Sequence, residues 1–287
     1  MDYSTLISPP AQVSRPGTAA ADDRCEQTGV LIVNADDWGR DWETTQRIFE
    51  CIEHGTVSST SAMVFMEDSE RAAELALQAN IDAGLHINFT TPFSAPDCPR
   101  ELLYYQAKTA HYLRRHRAAR AVFHPGLSRS FRYLMEAQLD EYCRLYGSYP
   151  RRIDGHHHMH LCANILFANV LPAGIVVRRS FSLRPGERSW FIHKHRQFLD
   201  SVLARRHRMT DCFFSLPPLE PATRLQTIFT LSRRFVVEVE THPANPDEYR
   251  FLTGGGIQQS LRDMSIATGF LVPQTAESKS LDEWFAI

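Results

Sequence analysis

From Val30 to Glu240 the chain alternates short apolar runs with longer stretches of helical period, and nothing else in it constrains the fold as much. Strand-like runs fall at 30–34, 57–65, 83–89, 151–158, 174–177, 212–215 and 235–240. Between them the 3.6-residue period predicts helices at 41–53, 69–78, 129–146, 164–170 and 222–232. The first carries Ile48, Phe49 and Ile52 as its inner stripe and is closed by Gly55. One more helix is marked by Trp190, Phe191, Phe198, Leu199, Val202 and Leu203, read as an inward apolar face. Strand followed by helix throughout implies a parallel sheet. Seven or so units suggest an α/β barrel, complete or incomplete, rather than an open sheet, and 287 residues suit such a barrel as a single domain.

The ends break the pattern. Residues 1–27 are rich in Ser, Pro, Thr, Ala and Asp and predict a disordered leader. The folded part runs over 28–272, with 91–125 an insertion or lid, and 273–287 is a polar tail. The apolar share of 43% is enough for a sizeable core. A net charge of −2 gives no global signature of a nucleic-acid or membrane binder. No run approaches the ~18 apolar residues of a membrane span. Cys25, Cys51, Cys98, Cys143, Cys162 and Cys212 are scattered, with no C-x-x-C pair, and read as reduced thiols. With no secretory start, the expectation is a cytoplasmic protein. Nothing in the sequence encodes its oligomeric state.

Chemistry concentrates where strands stop. Leu31 to Gly39 runs from a buried strand into Asp36 and Asp37 and then a glycine turn. Adjacent carboxylates at a strand's carboxyl end are costly without a positive partner. A divalent metal is one such partner; capping of the next helix is the other use of the pair. Downstream, Asp154-Gly155-His156-His157-His158-Met159-His160 places four histidines in five positions, and His86 ends another apolar run. In an extended strand Asp154, His156 and His158 would share a face, with His157 turned away. Imidazole with carboxylate suits zinc and its neighbours, and three ligands with an open position suit catalysis.

Five pieces in order resemble the YdjC-like carbohydrate deacetylases, the family that includes bacterial chitooligosaccharide deacetylases. They are Val33 to Gly39, Gly55 to Ser61, Gly84 to Asn88, Asp154 to His160, and Thr241-His242-Pro243. The resemblance spans about 28–270 and implies a distorted TIM-like barrel holding a metal through one Asp and two His. By position those ligands are Asp37, His86 and His156, with Asp36 as base and His242 as acid. The ion is zinc on the ligand chemistry, or magnesium, with which many relatives are described. The family departs here at Trp38, where Phe is usual, at Phe65, where Asn is common, and in the basic run 178–182.

The implied reaction is removal of an N-acetyl group from an amino sugar or oligosaccharide. His158, His160 and Asp154 are expected to touch substrate or orient the ligands. Two other classes fit the same barrel: a phosphodiesterase-like metal hydrolase and a catalytically silent sugar-binding protein. A third and fourth carboxylate motif, which a two-metal site would need, is not evident. Gly-x-Ser-x-Gly is absent, and Gly254-Gly255-Gly256 reads as a turn. Between Arg178 and Arg208 lie nine Lys or Arg against Glu187 and Asp200. Arg178 and Arg179 follow a strand, so they are expected at the catalytic rim, reading an anionic group on the saccharide.

Overall fold

The computed structural model describes residues 29–115, 118–182, 190–270 and 272. The expected leader at 1–27, the tail at 273–287, and Arg184, Glu187 and Arg188 of the basic segment lie outside the described residues. Seven strands form one parallel sheet: β1 (Val30–Trp38), β2 (Ser59–Ala62), β3 (Ala83–Ile87), β4 (Arg152–Gly155), β5 (Val176–Val177), β6 (Cys212–Ser215) and β7 (Val236–Thr241). Their spatial order is β5-β4-β3-β2-β1-β7-β6. β1 sits centrally, pairing with β2 through Asn34↔Ser59 and with β7 through Val30↔Val236 onward. Residues on both of its faces are buried, which is why its sequence is almost continuously apolar until function intervenes.

The sheet is curled. Arg178, just past edge strand β5, reaches Asp36 on β1 and Glu238 on β7 across the interior. Among the described residues β5 meets the segment leading into β6 through a single bridge, Val176↔Arg208, with Val177 N–H donating to the Arg208 carbonyl at 2.9 Å. Ser182 N–H also donates to the Phe213 carbonyl at 2.8 Å. No continuous ladder joins β5 to β6 among the described residues.

Helices cover the sheet: α1 (Trp42–Glu53), α2 (Ser69–Gln78), α3 (Arg100–Arg115), α4 (Ser128–Tyr146), α5 (Ala163–Phe167), α6 (Trp190–Ala204), α7 (Ala222–Leu231), α8 (Pro246–Thr253) and α9 (Gly256–Leu261). The inner side of α1 is Thr44, Thr45, Ile48 and Cys51, so Phe49 and Ile52 are only partly covered. Segment 91–125, read as patternless, contains α3. Its inward residues Leu102, Gln106, Thr109, Ala110 and Leu113 include two polar ones, which blurs the apolar period. α8 was also unread, although Asn245 caps it by accepting from Asp247 N–H and Pro246 starts it. The glycine run is a turn, between α8 and α9.

α6 overturns an expectation. Trp190, Phe191 and Phe198 face solvent, and Leu203 is the helix's one fully buried residue. Leu199, Val202 and Leu203 do pack inward as expected, but the three rings mark an outer face.

Candidate functional site

The site starts at the carboxyl end of β1. Asp41 caps α1 by accepting from Thr44 N–H at 2.8 Å, so Asp36 and Asp37 are free of that duty. Asp37 has φ +72, a left-handed conformation that Asp tolerates better than most residues, and Gly39 follows at φ +87. The chain thereby turns Asp36 and Asp37 toward different partners. β4 ends sooner than its sequence suggests. It stops at Gly155, and a kinked turn over His156–Leu161, with His157 at φ +55 and His158 at φ +56 in the left-handed region, replaces the expected strand. Alternation therefore fails: His156 and His158 do not lie along one strand face with Asp154. Gly155 is required here, because a Cβ would come within 2.9 Å of His160 N. Three of the seven non-glycine residues with positive φ among the described residues, Asp37, His157 and His158, line one cavity. Strain gathered at one concavity is a mark of a working site.

Ligand atoms of Asp37, His86 and His156 lie within 4.8 Å of one another, and all three residues are buried. They come from the ends of β1, β3 and β4. His156 Nδ1 donates to Asp37 Oδ1 at 2.8 Å. His86 Nδ1 donates to Asp154 Oδ1 at 2.7 Å, which orients the ring. Its other nitrogen, Nε2, is buried with no hydrogen-bond partner and stands 3.4 Å from Asp37 Oδ1. An orphaned imidazole nitrogen facing a carboxylate fits a cation between them, so these residues fit the expected metal. Arg40 Nη1 holds Asp37 Oδ2 at 2.7 Å.

Electrostatics sharpen the division of labour. Burial would raise the Asp37 pKa, but the hydrogen bond from His156 and the close imidazole of His86 carry it well below the usual range. Burial likewise opposes ionisation of Asp36, and the charges of Arg178 and then His86 outweigh it, so Asp36 stays low. Burial would lower His86, yet Asp154 and Asp36 push it up to about 10. Proton and cation compete for the same nitrogen. Burial, helped by His160 and Arg178, takes His158 down to about 3, and burial with Arg178 holds His160 at about 4. Both are neutral imidazoles.

Arg178 is not at the rim. Its guanidinium is 1% exposed and grips Asp36 with two bonds of 2.6 and 2.8 Å, Asp154 at 2.8 Å and Glu238 at 2.6 Å, with Glu240 3.4 Å away. Arg179 turns the other way, to Asp200 of α6 at 2.8 Å. Neither lines the cavity, which corrects their expected role as substrate contacts. The missing acids also exist. Asp154, Glu238 and Glu240 surround the site, and burial lifts Glu238 to about 7 and Glu240 well above the usual range. Asp36, His86 and Asp154 form a second cluster of metal-ligating atoms, but the Arg178 guanidinium already bonds both carboxylates. That geometry favours one cation position over two. Two acids alternating with valines in Val236–Thr241 were the overlooked signal.

The cavity, about 670 Å³, is lined by Asp36, Asp37, Arg40, Thr91, Arg120, Gly155, His156, His157, His158, Glu240 and His242. His242 thus reaches the same concavity, its backbone N–H held by Glu248 at 2.9 Å. His160 does not line it; its Nε2 donates to the Arg178 carbonyl at 3.0 Å. An adjoining cavity of about 570 Å³ shares Thr91, Arg120 and His157 and adds Arg114 and Met159. Beyond Arg40, which is paired to Asp37 and Asp41, the positive charge lining these two cavities comes from Arg120 and Arg114, in the segment read as a lid.

The family profile described as YdjC-like protein matches residues 30–278. The chitooligosaccharide deacetylase of Proteus mirabilis is 33% identical over 137 residues, covering 47% of this chain and 52% of that protein. The chitooligosaccharide deacetylase of Yersinia enterocolitica is 26% identical over 86% of this chain and 94% of its own length. Among solved structures, one described as a candidate cellobiose-phosphate cleavage protein from Enterococcus faecalis superposes with a TM-score of 0.58. It is 20% identical and covers 83% of this chain and 97% of its own, a likeness of fold alone.

Proposed function

This chain belongs to the YdjC-like family, and from that premise we propose that it is a metal-dependent deacetylase acting on the N-acetyl group of an amino sugar or oligosaccharide. The observation that supports it most is the convergence of Asp37, His86 and His156 from three strand ends around the unpartnered His86 Nε2. In this reading those three residues hold one divalent ion, zinc or magnesium, with the imidazoles favouring zinc. Bound there, such an ion lowers the pKa of water and polarises the acetyl oxygen.

The rest falls to the chain itself. Hydrolysis of an acetamide requires attack by water, a base for its proton and an acid for the departing amine. Arg178 keeps Asp36 ionised and fixed, ready to take that proton. Asp154 holds His86 in one orientation. His242, across the cavity, is the proton donor to the leaving nitrogen. His158, neutral and lining the cavity, is a substrate contact. His160 and Asp154 act through the residues they position. An acidic group on the saccharide would meet Arg120 and Arg114 instead of Arg178 and Arg179.

The test is acetate release from N-acetylated oligosaccharides, with metal content measured on the same sample. Acetate that depends on the ion supports the proposal. A metal-loaded protein that cleaves phosphodiesters and leaves every acetamide intact would replace it with the phosphodiesterase class. Saccharide binding without turnover of either bond would leave a binding protein.

A further inference from the structure

The side of α6 that points away from the sheet holds aromatic rings in water. Trp190 is 64% exposed, Phe191 76% and Phe198 51%. Phe191, Lys194, Phe198 and Arg205 follow one another at helical spacing, so rings and cations share a face. Trp190 and Phe191 meet edge to face at 5.2 Å, and Lys194 lies 6.0 Å over the Trp190 ring. The helix's single acid, Asp200, is turned inward to Arg179 and to Ser180 N–H. Exposed ionisable groups on α6 and just beyond it, Lys194, His195, Arg205 and Arg206, are therefore all basic.

The direction of the helix is fixed at both ends. Near its C-terminus, Gly174 N–H donates to the Arg206 carbonyl at 2.8 Å, at the amino end of β5. Toward its N-terminus, Arg196 donates to the Phe181 carbonyl at 2.8 Å, beyond the carboxyl end of β5. Phe181 in turn packs 4.7 Å from His158, which lines the cavity. Trp190 and Phe191 thus stand at the end of α6 nearest the cavity's side of the sheet.

We propose that this face of α6 docks the protein on an anionic phospholipid surface, with the rings in the headgroup boundary and the cations against lipid phosphates. Aromatic and basic side chains without acids are the composition of a helix that lies in a membrane interface. Charge separates this occupant from a second copy of the chain. A two-fold contact would set this basic face against the same basic face of the other copy, whereas an anionic bilayer complements it. The chain as a whole carries −2, so the attraction is local to this helix and orients the molecule. Docking there sets the carboxyl edge of the sheet, and the cavity with it, beside the bilayer.

The experiment is co-sedimentation of the full chain with vesicles of phosphatidylcholine, either alone or mixed with an equal part of phosphatidylglycerol. The chain should bind the mixed vesicles and lose binding as salt rises. Phe191→Ser should weaken partitioning about tenfold, and adding Trp190→Ser and Phe198→Ser should abolish it. These side chains are exposed, so the variants should melt with the wild type. Lys194→Glu with Arg205→Glu should erase the preference for phosphatidylglycerol. A wild type that stays in the supernatant with both vesicles overturns the proposal, as does binding that the ring variants leave unchanged. A dimer that the ring variants dissociate, without vesicle binding, gives the face to a second copy.

Discussion

The sector from β1 to β4 and the sector of β5 and α6 join through the β4–β5 ladder and the reach of Arg178, and are built on opposite terms. In the first, Trp38, Ile48, Leu85, Ile87 and Ile153 are buried, and the carboxylates and imidazoles among them hold partners at 2.6 to 2.8 Å, His86 Nε2 being the exception that matters. In the second, a fifteen-residue helix buries only Leu203 and turns its largest rings outward. The contrast teaches where a fixed geometry is needed. A reaction requires ligands held to fractions of an ångström, which close packing supplies. A surface contact needs only a face of suitable chemistry. Arg178 and Arg179 divide accordingly, one reaching into the packed sector and the other tying α6 to the sheet.

The largest effect tests the packed sector directly. Asp37→Ala, His86→Ala and His156→Ala should each lose bound metal and lower deacetylation by roughly 10³-fold or more, since a bound ion supplies several kcal/mol to such a reaction. Metal analysis of each purified variant, beside its acetate release, is the check. Full occupancy in all three would remove the metal centre and with it the contrast drawn here.

Next comes Asp36→Asn, which should keep the ion and lose about 10²- to 10⁴-fold in kcat, the range of a general base. If the metal departs instead, Asp36 is a ligand, and Glu240, the third acid lining the cavity beside Asp36 and Asp37, becomes the candidate base.

The arginine pair gives the comparison in one experiment. Arg178→Ala strands carboxylates that are buried together and should cost about 3–5 kcal/mol of stability. Arg179, 19% exposed and paired to Asp200 near the surface, should cost about 1 kcal/mol when replaced by Ala. Thermal and urea unfolding of both variants measure the difference. Equal losses would mean that the β5 and α6 sector is as tightly integrated as the first.

What could be read from the sequence follows the same division. All seven strands and the α2 boundaries were legible because buried parallel strands and a simple inward stripe leave unmixed periods, as in Val30–Trp38 and Ser69–Gln78. β5 was the least exact of them, a run of 174–177 of which only Val176–Val177 pairs as strand. Asp37, His86 and His156 were named through the family resemblance, whereas strand alternation alone pointed to Asp154, His156 and His158. Arg178 was misread, since a strand-end arginine looks the same whether it faces substrate or four buried carboxylates. Only the long-range fold distinguishes them. Glu238 and Glu240 went unnoticed in a strand taken as simply apolar. Trp190, Phe191 and Phe198 were misassigned because helical spacing reveals a face without saying which way it points.

The smallest effect concerns the opening of the cavity, where Arg120 stands in place of the two arginines first expected there. Arg120 is exposed, so its contact with an anionic group on a saccharide is screened and worth about 1 kcal/mol, or roughly fivefold. Arg120→Ala should therefore lower kcat/KM about fivefold for an acidic or phosphorylated N-acetyl sugar and leave the neutral one unchanged. Moderate salt should shrink the difference, because a Debye length near 8 Å at physiological ionic strength already covers such a contact. Arg179→Ala should alter neither rate, since Asp200 and the backbone carbonyl of Asp211 occupy its guanidinium. A response from Arg179 and none from Arg120 would return substrate recognition to the β5 and α6 sector, making the helix part of the active site instead of its anchor.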